Sequence, residues 1–271
     1  MRKERIDKLV VQQGLTDSRE QAKRLIMAGQ IYDQNNQRYD KPGEKISCDK
    51  ELHIKGETLR YVSRGGLKLE KAIETFDIQM EGHILLDIGS STGGFTDCAL
   101  QHGASQSYAL DVGYNQLVYQ LRTDPRVIVM ERRNFRYAKP EDFTQGQPTI
   151  ASIDVSFISL KLILPPLRDI LIQDGSVIAL IKPQFEAGKE RVGKKGIVKD
   201  PNVHVDVIDD LLMHASQLGF HIEGLTYSPI TGGEGNIEFL VHLKNKLQPV
   251  EFTMDEELIH DVVEQAHQQL R

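Results

Sequence analysis

From residue 65 onward the chain alternates amphipathic stretches with short apolar runs. The runs at 84–88, 107–112, 126–130, 149–155, 176–181, 221–228 and 236–243 have the length and apolar continuity of buried strands. Helical spacing of apolar residues appears near 65–76, 94–102, 115–121, 159–172 and 202–218. This alternation predicts an α/β domain, a doubly wound sheet with helices on both faces. Only Thr231-Gly232-Gly233-Glu234-Gly235 separates the last two runs. That is too short for a parallel crossover, so the last strand is expected to be antiparallel. A tail helix at 254–270 would place Leu258, Val262 and Ala266 on one packing face.

The front of the chain follows a different rhythm. Residues 4–13 read as a short helix with Ile6, Leu9 and Val10 on one face and Gly14 as its stop. Ser18 and Gln21 have capping-box spacing before a second helix that turns Ala22, Leu25 and Ile26 inward and stops at Gly29. Short strands are expected at 30–32, 46–48 and 52–54, with turns at Asn35-Asn36 and Pro42-Gly43. The pattern divides the chain into a small α+β domain (1–56), a linker (57–64), the α/β domain (65–245) and the tail helix (246–271).

One segment carries most of the chemistry. Ile84-Leu85-Leu86-Asp87-Ile88-Gly89-Ser90-Ser91-Thr92-Gly93-Gly94-Phe95-Thr96 reads as a strand, a tight glycine turn and a helix start. Glycine allows a sharp turn and close approach, and the first N–H groups of the helix attract an anionic group. The spacing is D-x-G-x-x-x-G-G. It is neither the dinucleotide fingerprint nor the phosphate loop with its lysine. It suits S-adenosylmethionine, which carries a carboxylate, an amine and a ribose diol but no phosphate. Asp111 ends the next apolar run, where an acid can accept hydrogen bonds from ribose hydroxyls. The alternative is a βα turn with no ligand. Asp154 and Lys182 end two further runs and point to the same sheet edge. A lysine that closes an apolar strand before proline must be paired or neutral. Asp154 could equally cap a helix.

Charge sharpens the division. The net charge is −6, but residues 1–64 hold 14 Lys+Arg against 10 Asp+Glu while the remainder holds 19 against 29. A small basic front on an acidic body suits one module facing a phosphate backbone. Its polar helix faces carry Arg2, Lys3, Arg5, Arg19, Lys23 and Arg24, which could also be a solvated surface. Cys48 and Cys98 show no metal-type spacing and fit a reducing compartment, and no metal is expected. No run approaches a membrane span, and Met1-Arg2-Lys3-Glu4-Arg5 with no apolar segment behind it does not read as a secretory signal. The expected location is the cytoplasm. The loop 186–199 carries Lys189, Arg191, Lys194, Lys195 and Lys199 among glycines and reads as a mobile segment able to grip RNA.

Arg5-Ile6-Asp7, Ser18-Arg19, Ala22, Ile26, Gly29, Ile31 and Pro42-Gly43 together resemble the small RNA-binding module of a ribosomal small-subunit protein, the S-four type, over residues 3–56. Ile31-Tyr32-Asp33-Gln34-Asn35 departs from the V-x-V-N-G common in that module. Across residues 3 to about 245 the chain resembles the TlyA family, historically called hemolysin A. The resemblance rests on V-S-R-G-G-x-K-L, D-I-G-S-S-T-G-G-F-T-D, D-V-S-F-I-S-L and I-K-P-Q-F-E. Tyr61 stands where the family's R-x-W-V-S element has tryptophan, which puts its coupling of the two domains in question.

The resemblance implies a Rossmann-like methyltransferase domain of the FtsJ type that moves a methyl group from S-adenosylmethionine to a cytidine ribose 2′-hydroxyl of ribosomal RNA. It implies a catalytic tetrad of Lys68, Asp154, Lys182 and Glu238, with neutral Lys182 as the base. A neighbouring ammonium and the sulfonium disfavour a charged Lys182; the two carboxylates favour it. Asp87, Gly89, Ser90, Gly93, Gly94, Phe95, Thr96 and Asp111 are the expected cofactor contacts, with Asn134 or Arg133 near the adenine. Arg5, Arg19, Lys23, Arg24, Arg64, Lys189, Lys194 and Lys195 are the expected RNA contacts, on ribosomal RNA or ribosomal subunits. The rival readings are a non-catalytic RNA-binding or ribosome-assembly factor, a membrane-active hemolysin, and a nicotinamide dehydrogenase, which the loop spacing disfavours.

Overall fold

The computed structural model describes residues 3–27, 29–55, 60–249 and 256–270, apart from the side chain of Glu234. Arg2, residues 56–59 and the start of the expected tail helix lie outside the described residues. The chain divides into two compact units, 1–59 and 60–271.

The first unit contains β1 (Lys3–Arg5), α1 (Ile6–Gln12), α2 (Arg19–Met27), β2 (Ile31–Asp33), β3 (Arg38–Tyr39), β4 (Lys45–Ser47) and β5 (Leu52–Ile54). β1 pairs antiparallel with β4, and β2 lies between β3 and β5. Gly14 and Gly29 follow the two helices at φ +71° and +67°, a region that favours glycine. Ser18 Oγ accepts the Gln21 N–H at 3.2 Å, as expected of an N-cap. The Gln21 side-chain Oε1 accepts the N–H of Asp17 rather than that of Ser18 (3.3 Å). The expected Ala22, Leu25 and Ile26 are buried with Ile6, Leu9 and Val10.

In the second unit α3 (Gly65–Phe76) precedes β6 (Ile84–Ile88), α4 (Gly94–Gln101), β7 (Gln106–Asp111), α5 (Tyr119–Arg122) and β8 (Val127–Glu131). Then come β9 (Ile150–Ile153), α6 (Leu164–Ile170), β10 (Ser176–Ile181), α7 (Pro183–Glu186), α8 (Pro201–Leu218), β11 (Phe220–Tyr227), β12 (Phe239–Asn245) and α9 (Glu256–Leu270). The seven-stranded sheet runs β11-β12-β10-β9-β6-β7-β8, with β12 antiparallel to both neighbours and the other pairs parallel. Adjacent residues of one strand feed opposite cores: Leu86 packs on one face with α6, α8 and α9, and Leu85 on the other with α3 and α4. A sheet covered on both faces explains the continuous apolar strands.

Several elements differ from their sequence reading. The stretch 159–172 is not one helix, because Pro165 and Pro166 lack the N–H that a helix interior needs and fit only its first turn. A 3₁₀ turn at Leu160–Leu162 therefore precedes α6. Leu258 is 43% exposed; α9 buries the expected Val262 and Ala266 together with Ile259 and Val263. Tyr61 and Val62, within the stretch read as linker, are buried in the core of the second unit. Gly66 makes room for the Tyr61 ring, and the Tyr61 hydroxyl donates to Glu70 at 2.7 Å.

Candidate active site

The glycine turn joins β6 to α4. Gly89 has φ +87°, and a Cβ there would collide with the backbone oxygen of Asp154. Gly93 has φ +98°, and a Cβ there would strike Leu121, while one at Gly94 would strike the Ser63 hydroxyl. The tightest neighbours of these glycines are thus protein atoms: the chain leaving β9, α5, and the segment entering α3. The N–H groups of Gly89 and Ser90 donate to Leu110, at 2.9 and 3.1 Å. The Ser91 N–H donates to Asp111 Oδ2 (2.8 Å) and that of Gly113 to Oδ1 (2.7 Å). Asp111 therefore stands at the carboxyl end of β7 and fixes the loop beside it.

Asp87 and Thr96, expected cofactor contacts, are fully buried behind the loop. Thr96 donates to Asp87 Oδ2 from its N–H and its hydroxyl (3.1 and 2.8 Å), and Ser152 donates to Oδ1 at 3.2 Å. Burial pushes the Asp87 carboxyl up to about 7 against these donors. A buried acid that collects donors from α4 and β9 holds the turn in place. Gly93 likewise faces Leu117 and Leu121. The exposed Asn134 side chain accepts the Arg136 N–H at 3.2 Å, and the exposed Arg133 lies 3.7 Å from Asp142.

Lys68 lies on α3, Asp154 just past β9, Lys182 just past β10 and Glu238 just before β12. Far apart in sequence, they converge at one sheet edge. Lys182 Nζ lies 2.5 Å from Asp154 Oδ1 and 3.3 Å from the Ser156 hydroxyl. Lys68 Nζ lies 2.7 Å from Glu238 Oε2 and 3.7 Å from Asp154 Oδ2. Both lysines and Glu238 are buried. Burial would raise the Asp154 carboxyl, but Lys68 and Lys182 outweigh it and hold it below its ordinary value. The two lysines and two carboxylates form one network, in which Asp154 bridges the two pairs.

Two cavities meet at this network. One, of about 360 Å³, is bounded by Gly89, Ser90, Ser91, Gly94 and Phe95 together with Ser63, Arg64 and Lys68. The other, of about 560 Å³, is bounded by Lys68, Asp154, Lys182 and Glu238 with Phe157, Phe185 and Lys195. Gly232 and Gly233 border both. Sequence reading missed Ser63, Ser156, Phe157, Phe185 and the 230–233 loop. A signal was present for the last, since glycine crowding just before Glu238 implies a close approach, and a Cβ at Gly232 would strike the Glu238 carboxylate. Phe157 is 91% exposed at φ +63°, which no sequence pattern announces.

The basic residues fall into separate groups. Arg5 and Arg19 both reach Asp7, and Lys23 pairs with Glu20 at 2.6 Å. Arg24 is half-buried on α2, and Arg64 is exposed at the first cavity. The segment 186–199, expected to be mobile, is tied down at its far end. The Asn236 side chain accepts the Val198 N–H (3.0 Å) and donates to the Gly196 carbonyl (2.9 Å). Lys189, Lys194 and Lys195 remain exposed. Among the described residues no group of three or more His, Cys, Asp or Glu side chains could hold a metal, and no helix is long and apolar enough to cross a membrane.

A doubly wound sheet with a glycine turn at its carboxyl edge, faced by a Lys-Asp-Lys-Glu network, defines the FtsJ-like methyltransferase class; that family matches residues 61–245, and an S4 domain matches residues 4–48. YqxC of Bacillus subtilis, provisionally named an rRNA methyltransferase, is 59% identical over 271 residues, covering 100% of this chain and 96% of that protein. The 16S/23S rRNA (cytidine-2′-O)-methyltransferase TlyA of Mycobacterium tuberculosis is 40% identical over 251 residues, covering 90% of this chain and 91% of that protein. A solved structure of a provisionally named hemolysin from Streptococcus thermophilus superposes with a TM-score of 0.79 at 56% identity, covering 99% of this chain and 97% of that one. The chain belongs to the TlyA family of FtsJ-like methyltransferases.

Proposed function

We propose that this protein transfers a methyl group from S-adenosylmethionine to a ribose 2′-hydroxyl of ribosomal RNA, a cytidine by analogy with its named relative. The observation that carries the reading is the convergence of Lys68, Asp154, Lys182 and Glu238 on the larger cavity, with Lys68 and Asp154 bordering the smaller as well. The smaller cavity fits the cofactor. Its wall offers hydroxyls and the start of α4 to a carboxylate, and the turn carries no lysine for a phosphate. Gly89, Ser90, Gly94 and Phe95 would line the cofactor, with Asp111 at the adjoining strand end for the ribose diol.

When bound, S-adenosylmethionine supplies an electrophilic methyl on a sulfonium. The ribose hydroxyl is a poor nucleophile until its proton leaves. Lys182, as the free amine, takes that proton, held in place by Asp154 and Ser156. Lys68, anchored by Glu238, fixes the other Asp154 oxygen and so the angle from which Lys182 approaches. Alignment in such a site contributes about 7–11 kcal/mol. A positioned base adds roughly 10²–10⁴-fold.

The exposed lysines Lys189, Lys194 and Lys195 and the basic surface of the first unit, Arg5, Arg19, Lys23 and Arg24, would hold RNA through its phosphates. Arg64 stands at the mouth of the first cavity, where incoming RNA would meet it. With ribosomal RNA as substrate, the reading entails a cytoplasmic enzyme. Mass mapping of ribose methylation on ribosomal RNA from cells with and without the protein tests it. At least one 2′-O-methyl group should vanish with the protein; identical maps would refute the reading.

A further inference from the structure

The first unit buries a carboxylate that its fold does not obviously need. Asp7 has no exposed surface and sits in the first turn of α1 beside an apolar core of Ile6, Leu9, Val10, Ala22 and Ile26. Burying a charge is costly, and an apolar residue of similar size is often as stable or more so at such a position. What Asp7 achieves is to gather two cations from different elements. Arg5, at the end of β1, meets it with a two-pronged fork: Nε to Oδ1 and Nη2 to Oδ2, both 3.0 Å. Arg19, the first residue of α2, adds Nη2 to Oδ2 at 2.7 Å. The two arginine side chains nevertheless stay 40% and 49% exposed. Each guanidinium has five N–H donors in a fixed plane, so most remain available to another acceptor.

Asp33, also without exposed surface, serves as an internal comparison. It collects the N–H groups of Asn35 and Gln37, the Tyr39 hydroxyl and the Lys50 ammonium. All of these close a turn within one small sheet, and none presents a forked cation to solvent. The two buried acids thus play different parts: Asp33 ties the chain to itself, whereas Asp7 gathers the surface guanidiniums of two elements.

We propose that Asp7 is a positioning residue for RNA: it fixes Arg5 and Arg19 side by side as a preformed clamp for a backbone phosphodiester. The proposal rests on reading the first unit as RNA-binding. Forked guanidinium–phosphate pairing is orientation-dependent, and ordering two long side chains in advance removes that cost from binding. The Asp7 carboxyl is held down at about 2, foremost by its hydrogen bond from Arg5, so the clamp stays assembled at neutral pH.

The test is equilibrium binding of the full chain to purified 16S and 23S ribosomal RNA over a range of salt. Asp7→Asn is near-isosteric and makes the net charge less negative by one. Bulk electrostatics therefore predicts equal or tighter binding. The clamp predicts binding about tenfold weaker, on the order of the cost of re-ordering these side chains, with a shallower salt slope. Asp33→Asn, with the same charge change, should bind as the wild type does or more tightly. Arg5→Lys and Arg19→Lys keep the charge but lose the fork; each should weaken binding several-fold and add little when combined with Asp7→Asn. These two keep a cation beside Asp7 and decide the matter even if Asp7→Asn does not fold. Undiminished binding by both lysine variants would overturn the clamp, as would an Asp7→Asn protein that folds and binds as tightly as the wild type. Weakened binding by Asp7→Asn, Arg5→Lys and Arg19→Lys but not by Asp33→Asn supports it. A wild-type chain that binds neither RNA would overturn the RNA-binding reading, and the clamp with it.

Discussion

Lys182 could be singled out from sequence because it closes an apolar strand next to a proline, a place where an ammonium must have a purpose. Lys68 and Glu238 could not. One lies on a helix and the other before the last strand, and only the family resemblance named them; that the two side chains meet at 2.7 Å is a tertiary fact. The glycine turn was legible as a turn, but its inner and outer faces were not. Sequence spacing cannot say whether Asp87 and Thr96 look toward a ligand or, as here, toward Ser152 and Ser107. Gly89 is a sharp probe of this region. Gly89→Ala would force a Cβ into the Asp154 carbonyl at a left-handed φ. Strain there costs about 1–3 kcal/mol. Denaturant titration should show that loss of stability, and turnover should fall further because Asp154 must move.

At the scale of elements, the parallel strands and α3 follow their hydrophobic pattern closely, because both sheet faces are covered and each parallel strand gives apolar residues to both. Departures arise where local chemistry overrides periodicity. The proline pair divides 159–172, and α9 turns on Ile259 and Val263 instead of Leu258. The antiparallel β12 follows from loop length alone, but its insertion between β10 and β11 does not. β12 carries His242, buried against Phe76 of α3 and within 3.1 Å of the Ser176 hydroxyl. Burial, aided by Lys244, pushes its imidazole down to about 4. A depressed histidine stabilises the fold where it is neutral in both states, above its ordinary value of 6.5. That contribution is lost as pH falls from about 6.5 toward 4. Thermal denaturation across this window should show stability dropping, and His242→Gln should flatten the drop.

For the whole molecule, an acidic net charge hides a division of labour: 14 Lys+Arg against 10 Asp+Glu before residue 65, and 19 against 29 after it. That asymmetry was legible, as was the alternation that separates an α+β front from an α/β body. The anchoring of the 186–199 segment by Asn236 was not, since a glycine-rich basic loop looks the same in sequence whether tied or free. Replacing Lys189, Lys194 and Lys195 by glutamine should weaken RNA binding and reduce the salt slope by up to about three units of released counterion. An unchanged slope would remove this loop from the RNA surface. Methyl transfer by this protein depends on the convergent network at the sheet edge. Its most direct test is transfer of a labelled methyl group from S-adenosylmethionine to ribosomal RNA by wild type and Lys182→Ala, with calorimetry confirming equal cofactor affinity. Transfer should fall by roughly 10²-fold or more in the variant; near-normal transfer by Lys182→Ala would contradict it.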